Sequence, residues 1–303
     1  MPPLRLPFNY TCKTDVISTE LPEGQYPTAM AFSPTGETLV VGFSDGSLQL
    51  LDAMSLTLLS ESMLFARFDG EITKIVFAHD GTHFAISSSD FFVGVFRLKP
   101  EDYNDPWEHV GKHRSHSSRV TDVQFGTEAD GVTIRLLSVG EDRMMVEYDL
   151  IRSSFAEGLL LGAPSGASRM EVEQTAYPEA FAWYPDAQGE QFFIVANSEF
   201  KFKLLNATTK MCRKTVLAST LCGAPLTRMA VIPAYPNEDS QRVLAYTTGE
   251  KVGLTLMATR TAAWPWSVTR ATLTASCART TAGTSSPPAA ARSTCGQSIP
   301  TCS

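Results

Sequence analysis

The sequence predicts an all-β fold made of one small sheet repeated along the chain, on three observations. First, a turn pattern recurs. A Gly-containing hairpin turn is followed nine to eleven residues later by an acid, and six residues beyond the acid stands a bulky apolar residue, often with Asp or Asn behind it. Second, the segments between these turns alternate apolar and polar residues with the period of two that a half-buried strand requires. Third, Gly, Ser, Asp and Pro punctuate the chain every 8–12 residues, and no amphipathic stretch of helical period has useful length. The segment from Leu150 to Leu161 offers at most a short helical turn.

The copies run in order. The first has Ser33 to Gly36, then Asp45, then Leu51-Asp52. The second has Ala78 to Gly81, Asp90 and Phe96, and the third has Asp130-Gly131, Asp142 and Tyr148-Asp149. The fourth has Gln188-Gly189, Glu199 and Leu205-Asn206, and a weaker fifth centres on Glu250. In the strand before each hairpin one set of residues is read as inward: Met30 and Phe32, Ile75 and Phe77, Thr121, Val123 and Phe125, Phe181 and Trp183, Met229 and Val231. Asp122 and Gln124 point the other way. Second strands are predicted at 38–42, 84–88, 135–139, 192–196 and 243–247. Third strands follow at 47–51, 92–96, 144–148, 200–205 and 252–256.

The acids Asp45, Asp90, Asp142, Glu199 and Glu250 lie 45, 52, 57 and 51 residues apart. That is the length of a β-propeller blade with loop insertions. The pattern resembles the WD repeat. In that family a His before the inner strand, a Ser or Thr in the second strand and the turn Asp form a network with an aromatic in the third. The third unit alone supplies the full set: His116, Ser138, Asp142 and Tyr148, with Tyr in place of Trp. Val41, Ile86 and Val195 occupy the Ser position elsewhere, so those blades are expected to rely on apolar packing. Their turn acids Asp45, Asp90, Glu199 and Glu250 are expected to accept local backbone N–H groups.

About five blades at residues 27–257 make an incomplete ring. Residues 1–26 read as an N-terminal extension or part of a preceding blade. Residues 258–303 hold four arginines but no Asp, Glu or Lys, together with Cys277, Cys295 and Cys302. They read as a disordered low-complexity tail, and the preferred explanation is a segment translated out of frame.

Hydrophobic residues make up 43% of the chain and charged residues 19%, the balance of a globular protein. With the arginine-only tail set aside, residues 1–257 carry 21 basic and 32 acidic residues. An acidic body of this kind repels phosphate backbones, so nucleic acid is not an expected partner. No apolar run reaches about 18 residues, so no membrane partner is expected. The six cysteines form no CxxC pair and read as reduced thiols.

Candidate chemistry is sparse, and neither a metal nor another cofactor is expected. His109, His113 and His116 cluster, but no carboxylate or Cys completes a metal site at a defined offset, and a polar inter-blade loop is the expected reading. His116, Ser138 and Asp142 have the residue types of a hydrolase triad, yet their place in the repeat makes them a blade-stabilising network. There is no GxSxG, P-loop or strand-linked GxGxxG, and no catalytic residue is expected. Two partner contacts are candidates. Trp107 lies in the polar loop Tyr103 to Trp107, and Lys210, Arg213 and Lys214 surround Cys212 in a basic patch on an acidic body.

Four longer strings fall outside any repeat consensus: 204–215 (LLNATTKMCRKT), 111–116 (GKHRSH), 140–150 (GEDRMMVEYDL) and 249–254 (GEKVGL). They resemble the cilia- and flagella-associated protein 251 family over residues 20–257. The resemblance implies a non-catalytic scaffold of the axoneme that links radial spokes to dynein-regulatory machinery and so supports ciliary motility. Its implied partners are radial-spoke and calmodulin-associated complex subunits and the doublet microtubule. The implied form is truncated or mis-translated, because the family continues into further blades. The sequence itself carries no EF-hand loop and no basic amphipathic calmodulin target. A soluble WD-repeat adaptor, such as a substrate receptor of a ubiquitin ligase, is the alternative.

Overall fold

A computed structural model describes residues 24–59, 68–99, 106–128, 130–162, 167–187, 190–217, 226–232, 241–248 and 252–258. The turn at Gln188-Gly189, the loop before Trp107, Glu250 and the segment 259–303 lie outside them. Every element is a strand, and each sheet is an antiparallel meander.

Blade 1 is β1 (Pro27–Phe32), β2 (Thr38–Phe43) and β3 (Leu48–Asp52), with a single bridge from Leu51 to Leu58 in the fourth position. Blade 2 is β4 (Ile72–Phe77), β5 (His83–Ser88), β6 (Val93–Leu98) and β7 (Trp107–His113). Blade 3 is β8 (Val120–Thr127), β9 (Ile134–Gly140), β10 (Met144–Ser154) and β11 (Gly158–Leu161), with β12 (Arg169–Glu171) also paired to β10. Blade 4 is β13 (Pro178–Ala187), β14 (Glu190–Asn197), β15 (Lys201–Asn206) and β16 (Cys212–Leu217). Blade 5 is β17 (Leu226–Ile232), β18 (Gln241–Thr248) and β19 (Val252–Ala258). The segment 150–161 is therefore not helical. It is the long strand β10 turning into β11, with Leu150, Ser153 and Leu159 buried in blade 3.

The strand registers superimpose the repeats. Val41 pairs with Met30, Ile86 with Ile75, Ser138 with Val123, Val195 with Phe181 and Tyr246 with Met229. The position read as the WD-repeat Ser is thus one structural position in every blade. Neighbouring inner strands pack in sequence: β1 on β4, β4 on β8, β8 on β13 and β13 on β17. The blades with a neighbour on either side, 2 to 4, consequently have two covered faces, and the second strands β5 and β9 are buried almost throughout. Val123 and Phe125 pack on Val93 and Val95 of blade 2, and Phe181 packs on Leu137 and Val139 of blade 3.

One expectation about facing is corrected. Met30 and Phe32 are 60% and 58% exposed, because they occupy the face that the preceding blade covers everywhere else. Asp122, on the other face of its strand, is buried, because that face abuts the next blade. It takes the Lys74 ammonium from blade 2, accepts the Phe181 N–H of blade 4 at 2.9 Å and accepts the Val123 N–H at 2.7 Å.

Candidate functional site

The third blade brings its four polar residues together. His116 precedes β8, Ser138 lies in β9, Asp142 in the β9–β10 turn and Tyr148 in β10. His116 Nδ1–H donates to Asp142 Oδ1 at 2.9 Å. With the proton on Nδ1, Nε2 is left to accept the Ser138 hydroxyl at 2.7 Å. Ser138 Oγ and Tyr148 OH share a hydrogen bond at 2.9 Å, and Ser115 Oγ also contacts the phenol. Asp142 further accepts the Ser117 N–H at 3.0 Å and the Met144 N–H at 3.2 Å. Gly140 leaves room for this packing, since a Cβ there would stand 2.6 Å from His116 Nδ1.

The electrostatics follow from burial and bonding. Burial alone would raise the Asp142 carboxyl, but the hydrogen bonds from His116 and the Ser117 amide outweigh it and hold the group below its ordinary value. Burial pushes the Tyr148 phenol up to about 12, against hydrogen bonds with Ser115 and Ser138 that lower it. The Asp–His–Ser order is that of a nucleophilic triad. Ser138, however, is 0% exposed, and its oxygen is shared between His116 and Tyr148. The arrangement closes the turn of one blade and offers the hydroxyl to no substrate.

The other turn acids differ. Asp45 accepts the Ser47 N–H at 3.1 Å and the Ser47 hydroxyl at 2.6 Å. Asp90 instead contacts the Ser88 hydroxyl, and its Oδ2 is buried without a partner among the described residues. Glu199 accepts from Thr175 at 3.1 Å and Lys201 at 2.6 Å, and the turn amides of Glu199 and Lys201 go to Asn197 Oδ1. The longer Glu side chain reaches outward, so the Asn two residues earlier takes the role expected of the acid. The residue after each of these acids, Gly46, Phe91, Arg143 or Phe200, has a positive φ between 57° and 79°. That left-handed position is the geometric core of the repeated turn. The Asp or Asn behind the bulky residue also acquires a reason. Asp52 Oδ1 accepts the N–H groups of Met54 and Ser55, and Asn206 Oδ1 those of Thr208 and Thr209, so each caps the turn that follows.

Two partner-contact candidates are corrected. Trp107 is 6% exposed and begins β7, with its ring edge-on to Phe84 at 4.8 Å and Phe77 at 5.8 Å. Its apolar bulk fills the blade 1–blade 2 core. Lys210 is 8% exposed and donates to Glu147 Oε2 at 2.7 Å, while Arg135 Nε donates to Oε1 at 2.6 Å. One buried carboxylate therefore joins blades 3 and 4 through two cations, and burial, partly offset by Glu147, lowers the Lys210 ammonium. Arg213, Cys212 and Met211 remain on the surface of β16 and its turn, and Lys214 is half-buried. His109 sits against the rings of Phe96 and Phe68, away from the quartet that holds His116, and no metal-binding group of three or more His, Cys, Asp or Glu occurs among the described residues.

Repeated meanders of three or four strands, a left-handed residue after Asp45, Asp90, Asp142 and Glu199, and a His–Ser–Asp–Tyr network in one blade define a WD-repeat β-propeller. Residues 19–52 match the WD domain, G-beta repeat family. Beyond the repeat, the chain is similar to cilia- and flagella-associated protein 251. It is 34% identical to the Pongo abelii protein over 252 residues, which is 82% of this chain and 21% of that relative. It is 28% identical to the Tetrahymena thermophila protein over 273 residues, 81% of this chain and 27% of the relative. It is 32% identical to the Chlamydomonas reinhardtii protein over 168 residues, 53% and 20% respectively. The chain thus spans about a fifth to a quarter of the length of these relatives. The likeness beyond the repeat is thus to WD-repeat proteins named for cilia and flagella.

Proposed function

We propose that the chain is a non-catalytic scaffold of the ciliary axoneme, part of the apparatus at the base of a radial spoke that links spokes to dynein regulation. The likeness to proteins named for cilia and flagella along four-fifths of the chain carries this reading, because it covers far more of the chain than the repeat match at residues 19–52. The site supports it. The His116–Ser138–Asp142 arrangement, which has the residue order of a nucleophilic triad, is buried and internally satisfied, so its role is to hold a blade. On this reading the partners are proteins: spoke subunits, calmodulin-associated subunits and the doublet microtubule. A tagged copy expressed in motile ciliated cells is expected to remain with the detergent-extracted axoneme. Recovery only in the soluble fraction overturns the proposal and favours a soluble adaptor.

A further inference from the structure

The end of blade 3 that carries the β8–β9 and β10–β11 turns combines three features. The first is exposed apolar bulk. Ile151 is 81% exposed and Phe155 74%, both on the β10–β11 hairpin, and Val132 is exposed on the adjacent β8–β9 turn. The second is that the hairpin is held rigid. Arg97 of blade 2 donates to the Leu150 carbonyl at 2.8 Å and the Ser153 carbonyl at 3.0 Å. Buried Ser153 accepts the Leu160 N–H at 2.9 Å and donates to the Asp149 carbonyl, and Asp149 Oδ1 accepts the Arg152 N–H at 2.9 Å. Side chains displayed on such a hairpin lose little conformational freedom when they are covered.

The third feature is a cleft beside the hairpin of about 430 Å³, whose lining includes Glu128, Asp149, Ile151 and Leu161. Deeper in it, Glu147 is already engaged by Arg135 and Lys210. Glu128 and Asp149 are in no ion pair among the described residues, and neither is Arg152 at the rim. Asp130 and Glu157 stand on the two flanking turns. The cleft lining therefore carries two carboxylates, Glu128 and Asp149, outside any ion pair among the described residues, against the single unpaired guanidinium of Arg152.

We propose that this end of blade 3 is a docking surface for a protein segment that pairs Lys or Arg with an aliphatic or aromatic anchor. The apolar anchor covers Ile151 and Phe155, and the cation lies against Glu128 and Asp149. A rigid exposed aromatic beside a charged rim is the arrangement in which a few residues carry most of an interface's energy. The surface is independent of the axonemal reading, because the test uses the isolated full chain wherever the protein resides.

The probe is a library of displayed random peptides, selected under reducing conditions so that Cys212 captures nothing covalently. The expected outcome is enrichment of peptides combining a basic with a bulky apolar residue. An enriched peptide should lose about tenfold or more in affinity for Ile151→Ser or Phe155→Ser. It should also weaken for Glu128→Lys and with rising salt. All three positions lie at the surface or rim, and unchanged melting temperatures verify that the variants fold. No enrichment, enrichment of acidic or purely apolar peptides, or equal binding to the Ile151→Ser/Phe155→Ser double variant overturns the proposal.

Discussion

Blades 2 and 3 build the same turn from opposite chemistry. Counting back four residues from the start of the inner strand reaches His116 in blade 3 and Phe68 in blade 2. The second-strand position is Ser138 in one and Ile86 in the other, and the third-strand position is Tyr148 in one and Phe96 in the other. Blade 3 thus joins its parts by directional hydrogen bonds, whereas blade 2 packs Phe68, Ile86, Phe84 and Phe96 in one core, with Phe84 and Phe96 stacked at 4.5 Å. In blade 2 the turn acid survives without the His that would bind it, and half of the Asp90 carboxylate has no partner among the described residues. A backbone geometry can therefore be retained while its supports are exchanged, provided that the same volume is filled and no buried donor is left behind.

The largest expected effect tests the apolar solution. Trp107→Ala should cost about 3–5 kcal/mol, because it opens a cavity between Phe77 and Phe84. Urea denaturation measures it, and a cost under 1 kcal/mol would mean that blade 2 does not depend on its aromatic stack. His116→Ala comes next at roughly 2–4 kcal/mol, since it leaves both Ser138 and Asp142 without their partner. The matching exchange in blade 2, Phe68→His, should also destabilise, because it places a polar ring where Ile86 and Phe96 offer no partner.

Tyr148→Phe should cost less, about 1–2 kcal/mol, as it removes one hydroxyl and keeps the ring packed in its cluster. If it proves as costly as His116→Ala, the hydrogen bonds act as one cooperative unit.

The smallest effect separates the two blades by pH. His83 in blade 2 is lowered from 6.5 to about 4, first by burial and then by the Arg97 charge. The folded state thus favours its neutral form, so its contribution to stability is complete above pH 6.5 and is lost as the pH falls toward 4. Asp142 in blade 3 is lowered from 3.8, so its contribution is present above that value and lost only on further acidification. His83→Gln should flatten the loss of melting temperature between pH 6.5 and 4, whereas Asp142→Asn should leave that window unchanged.

The same contrast explains what could be read in advance. The strands and the His116–Ser138–Asp142–Tyr148 set were legible because each part lies within one repeat, at spacings that turn geometry imposes. The apolar equivalent in blade 2 has no such signature, since Phe and Ile mark strands of any kind. Trp107 was misjudged because Pro106 and the polar residues before it resemble a loop, whereas its ring turns inward at the first residue of β7.

By itself the sequence determined the repeat, the strand order and the turn chemistry, because these depend on contacts between residues close along the chain. Tertiary structure alone decided which face each blade shows its neighbours. Asp122 meets Lys74 across 48 residues, Glu147 meets Lys210 across 63, and Arg97 reaches the Leu150 carbonyl across 53. No periodicity encodes such pairs. They exist because blades packed side by side bury both faces of the sheets between them, so that buried charges such as Asp122 and Glu147 find partners in a neighbouring blade.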